Sequence, residues 1–97
     1  MTAPETPGAG EVADDWRPTR ELGIYTRRSG QKVLIEGYLD VYETDLTGAH
    51  IWMLCGTGAT VAEITERVAT KQEKTVEEVG PVVREFISDL VRCGFVH

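Results

Sequence analysis

The chain is 97 residues long, 41% apolar and 27% charged, with a formal net charge of −6. That suffices for one domain with a modest core and leaves little room for a buried multi-residue catalytic site, which favours a binding module over an enzyme. No apolar run approaches the roughly 18 residues of a membrane helix, and the N-terminus lacks the basic and apolar regions of a signal peptide, so a cytoplasmic protein is expected.

The charge is unevenly spread. Residues 1–15 contain Glu5, Glu11, Asp14 and Asp15 and no Lys or Arg, so they account for −4 and the other 82 residues for −2. This acidic stretch, rich in Pro, Gly and Ala, has little to bury against the entropy cost of ordering. It reads as a disordered tail over residues 1–19, with the folded part starting near Trp16 or Arg20 and the domain spanning 20–97.

Residues 22–28, LGIYTRR, have β-branched and aromatic character and run into the turn signal Ser29-Gly30, which predicts a first strand. KVLIE (32–36) is the second, Gly37-Tyr38-Leu39 a turn, and DVYET (40–44) the third, together a small antiparallel meander. At Asp45 the period changes. Asp45 suits the N-cap of a helix with Ala49, Ile51, Trp52, Leu54 and Cys55 on its apolar face, and Gly56-Thr57-Gly58 ends it. Thr60 and Glu63 form a capping box for a second helix with Val61, Ile64 and Val68 inward, and Thr75-Val76-Glu77-Glu78 repeats the pattern for a third. Strands followed by helices give an α+β domain with the helices on one side of the sheet.

Within the third helix, Gly80-Pro81 predicts a kink or loose first turn, because Pro lacks an amide and crowds the preceding turn; the regular part is expected from Val82. Val79, Val82, Val83, Phe86, Ile87, Leu90 and Val91 form an apolar arc broader than one packing stripe requires. Gly94 is expected as a left-handed helix cap, with Phe95 folding back on the core.

The chain contains little that reads as chemistry. Cys55, Cys93, His50 and His97 make a two-Cys, two-His set on paper, but their spacings lack the C-x2-C pairing of zinc sites. They read as core thiols and incidental imidazoles. Gly56-Thr57-Gly58 is too short for a phosphate loop and follows no strand. No catalytic residue, metal or cofactor is expected. Among binding modules, a winged-helix nucleic-acid binder is the first alternative to consider. It would need bases to neutralise phosphates, whereas the third helix sets Arg84 and Arg92 against Glu77, Glu78, Glu85 and Asp89. Arg27, Arg28 and Lys32 read as a solvated hairpin tip.

The third strand raises a separate question. It pairs with the second strand on one side, and no later segment is available for the other. DVYET carries neither Lys nor Pro, the usual protections of a free edge. Two readings stay open: a short edge kept harmless by Asp40, Glu43 and Asp45, or an edge that accepts an added peptide strand beside the broad third-helix face.

TDLTGAHIWMLCGTGATVAEI and VVREFISDLVRCGFV resemble the PqqD-like family, small recognition elements of ribosomally made, modified peptide (RiPP) pathways. The likeness rests on Thr47-Gly48-Ala49 and Ile51-Trp52, the glycine break, Thr60-Val61 with Glu63-Ile64, then Val83, Phe86, Ile87, Leu90 and Gly94-Phe95-Val96, and covers residues 22–97. It implies a winged helix-turn-helix-like fold and a PqqD-like peptide recognition domain over 20–97. The third strand and third helix would form a cleft to which the leader of a precursor peptide adds as an antiparallel strand. It also implies partners: a leader protease and cyclase in a lasso-peptide pathway, or a radical SAM maturase. Two departures, Thr44-Asp45 in place of Leu-Asn and Val82-Val83 in place of Asp-Val, imply a leader preference different from the usual one. Carried over by position, Tyr42 and Thr44 should face the helices and Val41 and Glu43 the other face. The peptide-binding set is then Asp40, Val41, Tyr42, Glu43, Thr44, Val79, Val83, Arg84 and Ile87, with Arg84 meeting an acidic leader residue and Asp40 or Glu43 a basic one.

Overall fold

The computed structural model describes residues 12–97. The elements run β1 (Tyr25–Ser29), β2 (Lys32–Glu36), β3 (Val41–Thr44), α1 (Leu46–Leu54), α2 (Val61–Gln72) and α3 (Val76–Arg92). This is the expected α+β order, and the sheet is antiparallel with strand order β1-β2-β3. β1 starts later than the composition of LGIYTRR suggests, because Gly23 has φ +80° and breaks the extended run ahead of it. Asp40 belongs to the turn, where its carbonyl accepts from the Gly37 amide at 2.8 Å and closes the hairpin around Tyr38 and Leu39.

Alternation sorts the two faces of the sheet. β2 buries Val33 and Ile35 and leaves Leu34 and Glu36 only partly covered. Directly opposed residues share a face, so the register Val33↔Thr44 and Ile35↔Tyr42 puts Tyr42 and Thr44 on the helix side. Val41, 62% exposed, and Glu43 lie on the outer face, as the family resemblance implies.

Each helix begins on its expected cap. The Asp45 carboxylate accepts from the Gly48 amide at 2.9 Å. Thr60 and Glu63 exchange hydrogen bonds of 2.9 and 3.1 Å as a full capping box. Thr75 caps the Glu78 amide at 3.2 Å, but its hydroxyl donates to the Glu78 carboxylate, so the reciprocal half of the box is missing.

Pro81 does not delay the third helix, which is continuous from Val76. Pro81 sits in the second turn, where its missing amide removes a single bond to the Glu77 carbonyl. The residue before it is Gly80, which has no Cβ to crowd the proline ring. At the other end Gly94, at φ +74°, donates to the Val91 carbonyl at 3.0 Å and Phe95 donates to Leu90 at 2.9 Å. That pair of bonds is a Schellman motif, and Phe95 is buried as expected.

Residues 1–11 of the expected tail lie outside the described residues. Residues 12–19 are held against the helical body: Val12 and Pro18 are buried and Trp16 is half-buried. The carbonyls of Trp16 and Asp14 accept from the Val61 and Ala62 amides, each at 2.9 Å, satisfying the first two orphan donors of α2. Thr19 and His97 exchange backbone bonds of 2.8 and 2.9 Å, which ties this strap to the segment after α3. Composition misses the strap because three apolar residues and a few backbone bonds hold it, rather than a periodic pattern.

The core lies between α1, α2, α3 and the inner sheet face, centred on Ile35, Ile51, Ile64, Val83, Ile87 and Leu90. Each such side chain contributes roughly 1.5–3 kcal/mol on burial. Gly48 is what lets β3 approach α1 and α3. A Cβ there would overlap the Thr44 hydroxyl and press on the Phe86 ring.

Candidate functional site

Among the described residues β3 pairs only with β2. In an antiparallel ladder, residues alternate between directing their amide and carbonyl at the partner and directing them away. The Gly37–Asp40 bond fixes the parity: Asp40, Tyr42 and Thr44 turn their backbone groups to β2, while Val41 and Glu43 turn theirs outward. The open edge therefore offers two donors and two acceptors. The nearby Lys32 ammonium, 3.4 Å from the Glu43 carboxylate, lies on the neighbouring strand and leaves those groups uncovered.

α3 lies beside this edge, running in the opposite sense to β3. The Tyr42 hydroxyl donates to Asp89 Oδ2 at 2.8 Å, and the Tyr42 ring meets Phe86 edge-on at 5.6 Å. Thr44 shares a cleft of about 620 Å³ with Val79, Val82 and Phe86, bordered by Lys74 and Glu78. Level by level, Thr44 faces Val82 and Phe86, and Tyr42 faces Phe86 and Asp89. Asp40 lies towards Cys93, since its charge helps to raise that thiol's pKa. Two residues of strand and one turn of helix advance by similar lengths, ~6.7 and ~5.4 Å, which keeps the levels matched.

The cleft carries negative potential at the Tyr42 level. Burial is the first cause that pushes the Tyr42 phenol up to about 12, followed by its bond to Asp89 and the charges of Asp89 and Glu85. Burial also raises the Cys93 thiol, and the charges of Asp40 and Asp89 add to it.

Of the nine sequence-derived residues, Val41, Tyr42, Glu43 and Thr44 form the edge and Asp40 stands at its end. Of the other four, Val79 borders the cleft and Val83, Arg84 and Ile87 lie away from it. Val83 and Ile87 are 0% exposed and Val79 is 4% exposed, so the first two are core and the third only borders the cleft. Arg84 follows Val82 by two residues, at about 100° each, and so points roughly 160° away from it. Its Nη1 lies 3.4 Å from Asp14 Oδ1, in a groove shared with Thr65 and Glu66 of α2. An acidic peptide residue at the β3 cleft would not meet it.

The side chains of α3 that do flank β3 are Val82, Glu85, Phe86 and Asp89. Periodicity marks the centre of the buried arc and finds Val83 and Ile87. Which flank of that arc lies over β3 depends on how the helix is set on the sheet. The signal that was available is Val82 itself, an apolar residue at the arc's rim that remains 54% exposed.

Other polar groups do not converge. Cys55 is buried and its thiol is raised to about 12 by burial, His50 is lowered by burial and then by Lys71, and His97 pairs with Glu21 at 2.5 Å. Among the described residues no three His, Cys, Asp or Glu side chains gather as a metal site, and no helix is long and apolar enough to cross a membrane.

Three antiparallel strands, three helices and a last strand left open beside the last helix define a class of small domain with a ready-made strand acceptor. The chain belongs to the PqqD family: the family model for coenzyme PQQ synthesis protein D (PqqD) matches residues 32–96. The fold is similar to that of the PqqD truncation of Methylobacterium extorquens PqqCD. That solution NMR structure represents a functional, stand-alone RiPP recognition element, and the likeness has TM-score 0.72 and 12% identity over 95% of each chain. It is also similar to TbiB1 in complex with the TbiA(beta) leader peptide, with TM-score 0.68 and 16% identity over 81% of this chain and 94% of that one. Identities this low speak for shared fold. No curated protein matches the chain.

Proposed function

We propose that the protein is a RiPP recognition element that binds the leader of a precursor peptide as an antiparallel strand on β3. It has no catalytic role of its own and hands the bound precursor to a separate leader protease and cyclase of a lasso-peptide pathway, in the cytoplasm. The observation that carries this reading is the open edge itself, the outward amides and carbonyls of Val41 and Glu43 beside the Val82–Phe86 wall. The leader peptide held by the similar TbiB1 supports it.

Energetics say where affinity must come from. Four backbone hydrogen bonds at a net 0.5–1.5 kcal/mol each supply about 2–6 kcal/mol, short of the ~8 kcal/mol of micromolar binding. One or two inward side chains of the leader, each contributing roughly 1.5–3 kcal/mol on burial, close the gap. Those side chains are the ones opposite Thr44 and Tyr42, because opposed residues share a face. Asp40, Val41, Tyr42, Glu43 and Thr44 thus form the docking strand, with Val82 and Phe86 as the apolar wall.

Amide exchange tests the reading. On addition of a synthetic leader peptide, the Val41 and Glu43 amides are expected to slow markedly while those of Arg27 and Arg28 in β1 do not change. A leader that binds without protecting Val41 and Glu43 docks elsewhere.

A further inference from the structure

The two inward positions of the docking cleft have opposite chemistry. At the Thr44 level the wall is apolar, made by the exposed Val82 and the Phe86 ring above the roomy end of the cleft. At the Tyr42 level it is acidic. Asp89 accepts from the Tyr42 hydroxyl, Glu85 lies one turn earlier on α3, and Asp40 lies beyond the end of β3. Among the described residues Glu85 and Asp40 make no ion pair, and the only base on this acidic group is Arg92, 3.2 Å from Asp89 and itself largely exposed. Arg84, which would have reversed the sign, is paired with Asp14 on the other side of the helix.

We propose that the cleft selects a three-residue motif, apolar–any–basic, in the peptide strand it accepts. This rests on the β3 docking reading and adds to it the chemistry of the ligand. In an antiparallel strand the residue opposite Thr44 comes two positions before the residue opposite Tyr42, so the apolar anchor precedes the basic one. A Lys or Arg opposite Tyr42 lays its methylene stem over the phenol ring and brings its charge to Asp89 and Glu85. The middle residue points to solvent and is unconstrained. Val82 makes the apolar subsite, and at the other level Glu85 and Asp40 outnumber the single Arg92 that pairs with Asp89.

Random nine-residue peptides displayed on phage, selected on the full chain, provide the test. The expected outcome is enrichment of Lys or Arg two positions after an apolar residue. A double variant, Glu85→Lys with Asp89→Asn, is expected to lose the basic preference and keep the apolar one, the Asn retaining a partner for Tyr42. A synthetic peptide of the enriched sequence should weaken about tenfold when its basic residue becomes Glu, the equivalent of one charge-assisted contact. Enriched peptides with an apolar anchor and no basic preference, or with the basic residue first, overturn the motif while β3 docking stands. No enrichment, or enrichment unaffected by Val41→Pro, overturns the docking reading and the motif with it.

Discussion

Replacing Val41 by Pro removes one outward amide from β3 and nothing that β2 uses. The parity set by the Gly37–Asp40 bond turns the Val41 backbone to the open edge, and its side chain is mostly exposed, so the cost to folding is expected to stay below about 1 kcal/mol. Binding should suffer far more. The lost N–H···O bond accounts for about 1 kcal/mol, and the peptide carbonyl left without a donor adds about 1–3 kcal/mol. The sum, about 2–4 kcal/mol, corresponds to roughly thirty- to a thousand-fold weaker binding. Fluorescence anisotropy with a labelled leader, paired with a thermal melt, measures both quantities. Tyr42→Pro is the control, because Tyr42 directs its amide to β2 and its loss should lower the melting temperature as well. Wild-type affinity in a folded Val41→Pro protein would refute the edge as the docking strand. Equal melting losses for the two proline variants would refute the parity.

Val82→Glu should leave the melt unchanged and abolish leader binding, whereas Val83→Glu, one residue on but fully buried, should prevent folding; circular dichroism and the same titration separate them. Gly48→Ala gains up to about 1 kcal/mol of helix propensity yet forces a Cβ into Thr44 and Phe86. Overpacking of about 1–3 kcal/mol is expected to win and to lower the melting temperature. Tyr42→Phe should destabilise the protein by about 1 kcal/mol at neutral pH through the lost bond to Asp89. Because the folded phenol is raised to about 12 from 10, the stability it contributes is full below pH 10 and fades as pH rises towards 12. The stability gap between wild type and Tyr42→Phe should therefore narrow over that window in alkaline urea titrations.

Much of the fold was legible because its signals are local. Asp45, Thr60 and Thr75 start the helices by side-chain bonds within three residues, and Gly94 stops α3 by a backbone conformation that favours glycine. Period-two alternation divides β3 into two sets, and the family resemblance, carried over by position, says that Tyr42 and Thr44 are the inward one. The α3 side of the site was less legible. A helical arc shows its buried centre in sequence and so points to Val83 and Ile87, but the flank that meets β3, with Val82, Glu85 and Asp89, is set by the packing of three helices on the sheet. At Pro81 the missing amide is visible in the sequence, while the room that Gly80 leaves for the proline ring shows only in the continuous helix. Residues 12–19 were hidden by an acidic, small-residue composition that gives no hint of carbonyls capping α2.

The outward parity of Val41 and Glu43 separates two tasks that most interfaces mix. These residues would hold a partner by main-chain atoms alone, and their side chains point to solvent, so the grip is blind to identity on both strands. Discrimination falls to the inward side, where Tyr42 and Thr44 meet Val82, Glu85, Phe86 and Asp89 of α3. Such an arrangement is easily retargeted: exchanging Val82 and Glu85 would redirect the domain to a different peptide while the grip, the Tyr42–Asp89 bond and the core stayed as they are.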